Sequence, residues 1–102
     1  MIHVVATVQV KPGKREDFLK HFRAIVSTVL FEKGCKKYGP TIDLPAGLPR
    51  QVEARPDTVV IVEEWGSLED LKAHLSAPHM TTYREKVKDL VVSTQLQVLK
   101  NA

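Results

Sequence analysis

At 102 residues the chain has the size of one domain, 1–102, with a single modest core. Its composition, 43% hydrophobic and 26% charged with no low-complexity tract, is that of a folded globular protein and excludes disordered and fibrous classes. The net charge of +3 is scattered and interleaved with acids, without the basic face that nucleic-acid recognition needs, so no nucleic acid is expected.

No apolar run approaches the roughly 20 residues that span a bilayer, so no membrane partner is expected either. MIHVVATVQV lacks the basic start and the cleavage site of a signal peptide. The lone Cys35 can form no intramolecular disulfide and suits a reducing compartment. A cytoplasmic protein is the expectation. Nothing around Cys35 favours a thiolate, and a structural, part-buried Cys is the better reading than a nucleophile.

Ile2, Val4, Ala6, Val8 and Val10 alternate with His3, Val5, Thr7 and Gln9, which predicts a strand with one strongly apolar face. Lys11-Pro12-Gly13 is a turn. From Lys14 to about Lys33 the period lengthens: Phe18, Phe22, Ile25, Val26 and Val29 form a helical stripe, widened by Leu19 and Leu30. Gly34 stands where a left-handed C-cap belongs.

Cys35 to Leu44 predicts a second strand with Tyr38 and Ile42 as its largest side chains. Gly39 and Pro40 point to a bulge or an edge position. The segment Pro45 to Asp57, with three prolines, is a long turn-rich connection, equally readable as a lid or as a tolerated surface excursion.

Thr58 to His79 organises the rest. Val59-Val60-Ile61-Val62 is a buried strand that runs through Glu63-Glu64-Trp65 and stops at Gly66. Ser67 is a helix N-cap, with Asp70 three residues on, and Glu69 and Asp70 suit the positive end of the helix dipole. Leu68, Leu71 and Leu75 recur at helical spacing until Pro78 ends the helix or opens a new one. Met80, Tyr83, Val87, Leu90 and Val91 restore the helical period, and Val92 to Leu99 alternates as a last strand.

The order β-α-β-β-α-β, with the second helix broken at Pro78, is the ferredoxin-like α+β arrangement: an antiparallel four-stranded sheet with the helices on one face. Val59 to Val62 is apolar on both faces, so the open face needs cover. A homodimer packed sheet against sheet is the simplest supplier.

VVATVQVKPGKREDF at the N-terminus, the Gly-Cys after the first helix, and above all EEW followed by SLEDLKAHLSAPHM resemble the antibiotic biosynthesis monooxygenase domain family. The likeness spans essentially the whole chain; the longer, proline-rich Gly39–Asp57 region departs from it. The resemblance implies a dimeric α+β barrel and oxygenation of a small aromatic substrate, quinol-like or anthrone/polyketide-like, with no cofactor: no metal, haem or flavin. The substrate then supplies the electrons, and the protein a dry pocket, a base and donors for the developing anion.

His has the pKa for such a base, and the family pattern marks His74 as the catalytic candidate beside Trp65, a flat apolar wall with an N–H donor. Against this stand a solvent-facing helix His and a plain core Trp. Tyr83 and His79 are candidate substrate-binding residues, with core packing and helix capping as their ordinary roles. His3 is expected at a dimer-facing or solvent position.

His74 and His79, five apart with Pro78 between, match no metal motif, and no metal site is expected. Haem-degrading relatives of this fold carry a first-strand Asn and a last-helix His. Here Ala6-Thr7 and the residues after Met80 supply neither. The alternative function is a non-catalytic dimeric barrel that binds a small apolar ligand or serves a stress response.

Overall fold

In the computed structural model, which describes residues 1–102, the alternation of the first segment becomes β1 (Ile2–Val10), and every second residue from Val4 to Val10 is buried. The chain turns at Gly13 and enters α1 (Arg15–Leu30), which buries Phe18, Leu19, Phe22 and Val29. Each such side chain, fully removed from water, contributes about 2–3 kcal/mol of apolar burial.

The helix ends sooner than the sequence suggested. Phe31, not Gly34, is the C-cap: the N–H groups of Phe31 and Glu32 donate to the carbonyls of Thr28 and Val29. Gly34 adopts φ 77° three residues farther on, inside the turn that delivers the chain to the next strand. Its conformation is the expected left-handed one, but it serves the turn and not the helix.

β2 (Cys35–Thr41) is an edge strand, the second of the two readings of Gly39 and Pro40; those two residues pair in regular register with Val62 and Ile61, and the one register shift lies earlier, between Cys35 and Lys37. It stops at Thr41 rather than Leu44, because its last rung is Thr41 opposite Val60. Ile42 and Leu44 are solvent-exposed.

The 42–57 connection holds itself together. The Arg55 side chain pairs with the Asp43 carboxylate at 2.8 and 3.1 Å, the Arg55 backbone N–H adds a third bond to it, and the Gln51 amide bridges Leu44 and Ala46. It nonetheless displays Leu44, Leu48 and Val52.

β3 (Thr58–Trp65) pairs antiparallel with β2 on one side and β1 on the other. β1 in turn pairs antiparallel with β4 (Val91–Lys100), giving the order β2-β3-β1-β4. Between β3 and β4 lie α2 (Leu68–Leu75) and α3 (Pro78–Val87).

Ser67 caps α2 as its sequence implies, its Oγ accepting the Asp70 N–H at 3.1 Å, a contact of about 1 kcal/mol. Pro78 opens α3 at the first turn, where its missing N–H has no helical partner to lose. α3 ends at Val87, before the predicted Val91, because Leu90 already turns back to the Val87 carbonyl and Val91 enters β4.

The architecture is α+β and ferredoxin-like, with sixteen residues in one hydrophobic cluster between the sheet and the helices. Cross-strand register places Val59, Ile61, Glu63 and Trp65 on the helix-facing side with Val4, Ala6 and Val8. The opposite face carries Val5, Val60, Val62 and Leu99 among polar neighbours. There His3, half-buried, bonds Asn101 at 2.9 Å. No helix is long and apolar enough to cross a membrane.

Candidate functional site

Period two along β3 turns Glu63 inward as surely as Ile61 and Trp65, and the result is a carboxyl only 5% exposed. It is not left bare: the indole Nε1–H of Trp65, two residues on and on the same face, donates to Glu63 Oε1 at 2.9 Å. Burial pushes the Glu63 carboxyl above the ordinary carboxylate range, and the indole bond only partly offsets this. Trp65 itself is wholly buried.

The tight corner after Trp65 brings α2 back across the end of the sheet. The Gly66 N–H donates to the Gly34 carbonyl at 2.7 Å, tying this corner to the turn before β2. Leu71 and His74, three residues apart on α2, are the buried positions of that short helix, and His74 is 2% exposed. Its ring lies 4.7 Å from that of Trp65 and meets Tyr38 edge-on at 5.3 Å. Tyr38 stacks on Phe22 at 5.2 Å, and Phe22 meets Tyr83 edge-on at 5.9 Å. One aromatic layer thus runs from β3 through α2, β2 and α1 to α3.

A cavity of about 450 Å³ opens beside this layer, between the sheet and the helices. His74, Glu63, Tyr38, Tyr83, Arg84 and Lys88 give it polar atoms; Phe22 and Ile61 are typical of the rest of its wall, and Thr94 and Leu96 of exposed β4 border it. That volume is in the range of small-molecule sites, and the apolar lining with a few convergent polar groups is their usual chemistry.

His74 Nδ1 is bonded to Glu32 Oε2 at 2.9 Å. No buried side-chain nitrogen lacks a partner, so Nε2, which has none, keeps accessible surface on a residue that lines the cavity. Burial lowers the pKa of the imidazole, while the bond to Glu32 and its charge pull it back up. The phenols of Tyr38 and Tyr83 are pushed upward, mainly by burial, and stay protonated at neutral pH.

The four residues singled out from sequence take different places. His74 and Tyr83 line the cavity. Trp65 stands one layer back, touching His74 by its ring and Glu63 by its N–H. His79, on α3, bonds Glu32 Oε2 at 2.7 Å and borders a separate groove of about 240 Å³.

Three participants were not singled out. In the sequence Tyr38 is only one of the two largest side chains of its strand. Glu63 was legible from the alternation that places it in register with Ile61 and Trp65. Glu32 carries no local signal, since its histidine partners lie 42 and 47 residues away. No group of three His, Cys, Asp or Glu side chains is arranged to hold a metal ion.

The comparisons with known proteins agree with this architecture. Protein YgiN of Escherichia coli K12, named a probable quinol monooxygenase, is 41% identical over 98% of this chain and 97% of its own. A conserved protein from Methanosarcina mazei Go1 superposes with a TM-score of 0.83 at 24% identity, covering 99% of this chain and 92% of that one. A solved antibiotic biosynthesis monooxygenase gives 0.81 at 20% identity, covering 100% and 99%. The sequence model of that family, antibiotic biosynthesis monooxygenase, matches residues 1–86. With most of its length matched and a full-length relative at this identity, the chain belongs to the antibiotic biosynthesis monooxygenase family.

Proposed function

We propose that the protein is a cofactor-independent monooxygenase that oxidises a small electron-rich aromatic of the quinol class with O₂. The observation that carries this reading is the cavity in which one buried imidazole, a buried carboxyl and two protonated phenols meet a mainly aromatic and aliphatic wall, with Arg84, Lys88 and Thr94 as its other polar members. The relative's name, quinol monooxygenase, supplies the substrate class.

In this reading the quinol stacks within the aromatic layer, and His74 Nε2 accepts its hydroxyl proton. The quinolate passes an electron to O₂, and the resulting radical and superoxide combine at a ring carbon bearing hydrogen. Loss of water from the hydroperoxide leaves a hydroxyquinone: one oxygen atom enters the ring, the other departs as water, and the substrate has given up four electrons. The imidazolium returns its proton to the departing oxygen. Tyr38 and Tyr83 remain O–H donors for the anionic oxygens because burial keeps them protonated.

The working unit in this reading is a cytoplasmic homodimer. Support comes from the uncovered sheet face with Val5, Val60 and Val62, from half-exposed Leu96 and Val98 on edge strand β4, and from the free thiol of Cys35.

Oxygen uptake with a panel of hydroquinones and anthrones under ¹⁸O₂, with chelator present, tests the reading. It predicts one labelled atom in the organic product and one in water. Uptake abolished by chelator would contradict the cofactor-free chemistry. Ligand binding without uptake across the panel would favour a non-catalytic barrel that holds a small apolar ligand.

A further inference from the structure

We propose that Glu32 is a positioning residue that holds His74 in the Nδ1–H tautomer and so turns an unprotonated Nε2 toward the cavity. The inference rests on the reading of His74 as the base, and extends it to a residue that touches neither cavity nor substrate.

Glu32 sits in the turn between α1 and β2, with its side chain 14% exposed. Its Oε2 lies 2.9 Å from His74 Nδ1 and 2.7 Å from His79 Nε2. An ionised carboxylate oxygen can only accept, so both ring nitrogens that face it donate. A neutral imidazole has one N–H, and spending it on Glu32 leaves His74 Nε2 with a lone pair. The base is therefore set before substrate arrives, with no ring flip or proton shift to wait for.

The other polar and charged groups around His74 cannot replace Glu32. From α3 come His79 and Arg84, which each disfavour a positive imidazole. From β2 comes Tyr38, which offers a ring edge. From β3 come Trp65, whose ring lies tilted against the imidazole, and Glu63, whose Oε1 is engaged by that indole.

His79 bonds the same oxygen from the far side of the break at Pro78, so one carboxylate ties α2 and α3 to the turn. A purely structural clamp would do that much. A tautomer selector does more, and the difference is measurable.

The test is ¹⁵N-histidine NMR of the full chain as wild type, Glu32→Gln and Glu32→Asp, paired with pH profiles of quinol oxidation. The wild type is expected to show His74 protonated at Nδ1 and bare at Nε2. Glu32→Gln, whose amide can present either atom to the ring, is expected to give mixed tautomers and a lower His74 titration midpoint. Its kcat is expected to fall about tenfold with KM within twofold, and the acidic limb of kcat/KM to move to lower pH. Glu32→Asp, which keeps the charge, is expected to recover part of both signals.

A wild-type His74 protonated at Nε2 would overturn the proposal. So would a Glu32→Gln protein with unchanged tautomer and unshifted limb that merely melts at lower temperature. Absence of oxygen uptake by the wild type would count against the monooxygenase reading alone, because the tautomer measurement decides the role of Glu32 independently.

Discussion

The indole N–H of Trp65 donates to the carboxyl of Glu63 across 2.9 Å, and both side chains are almost completely withdrawn from water. The bond satisfies an oxygen that would otherwise face an apolar core. Trp65→Phe keeps most of the packing and removes the donor, so it is expected to cost about 1–3 kcal/mol in denaturant unfolding. Because the indole bond is the influence that lowers the Glu63 pKa, the substitution is also expected to raise it further. Carboxyl ¹³C shifts followed with pH would read this directly.

His74 and Glu63 give the stability–pH curve contributions of opposite sign. The folded His74 pKa lies below its ordinary 6.5, mainly through burial, so between the two values the unfolded chain binds more protons. Stability from this group is complete above about 6.5 and declines as pH falls toward the folded value. The folded Glu63 pKa lies above 4.5, again mainly through burial, so the folded chain binds more protons just above 4.5 and this contribution declines as pH rises. Glu63→Gln retains a carbonyl for the indole and is expected to abolish the second slope. Its stability at pH 7, read in urea titrations, should rise.

Gly34 and Asp70 show how the corner is built. Gly34 adopts φ 77°, and a Cβ on it would run into the Asp70 carboxyl at the start of α2. Gly34→Ala is expected to lose about 2 kcal/mol or more, from the left-handed backbone and the displaced Asp70 together. Thermal denaturation would measure it. A control at Gly13, also at positive φ but with open space around it, should lose only the backbone part.

The Asp43–Arg55 pair anchors the two limbs of the 42–57 connection. Arg55 holds the Asp43 carboxyl down at about 2, so the pair persists through ordinary acid conditions. Asp43→Ala is expected to leave the melting temperature nearly unchanged while proteolysis between residues 42 and 57 speeds up severalfold. Equal cleavage rates in the two proteins would show that the remaining Gln51 bonds suffice.

Much of this fold was legible because local patterns and tertiary packing agree. The alternation of β1, the stripe of α1, the Ser67 cap and the break at Pro78 each carry their signal within a few residues. The misplaced ends have local causes. A glycine at positive φ serves a turn as readily as a helix cap, and strand β2 stops at Thr41 where its ladder with β3 ends, whatever its apolar content. The site was legible where it coincides with an element. Alternation could have exposed Glu63, whereas Glu32 reaches His74 only because the intervening strands β2 and β3 fold the turn onto α2. That contact is long-range by nature and leaves no mark in either segment.

The most direct test of the central claim is oxygen uptake by the wild type and His74→Ala on one hydroquinone, with chelator present and spontaneous oxidation subtracted. Chelator-resistant uptake is expected from the wild type and a loss of about 100-fold or more in the variant, the usual size of a general-base contribution. Equal rates in the two proteins, with both shown to be folded, would remove His74 from the chemistry and contradict the account.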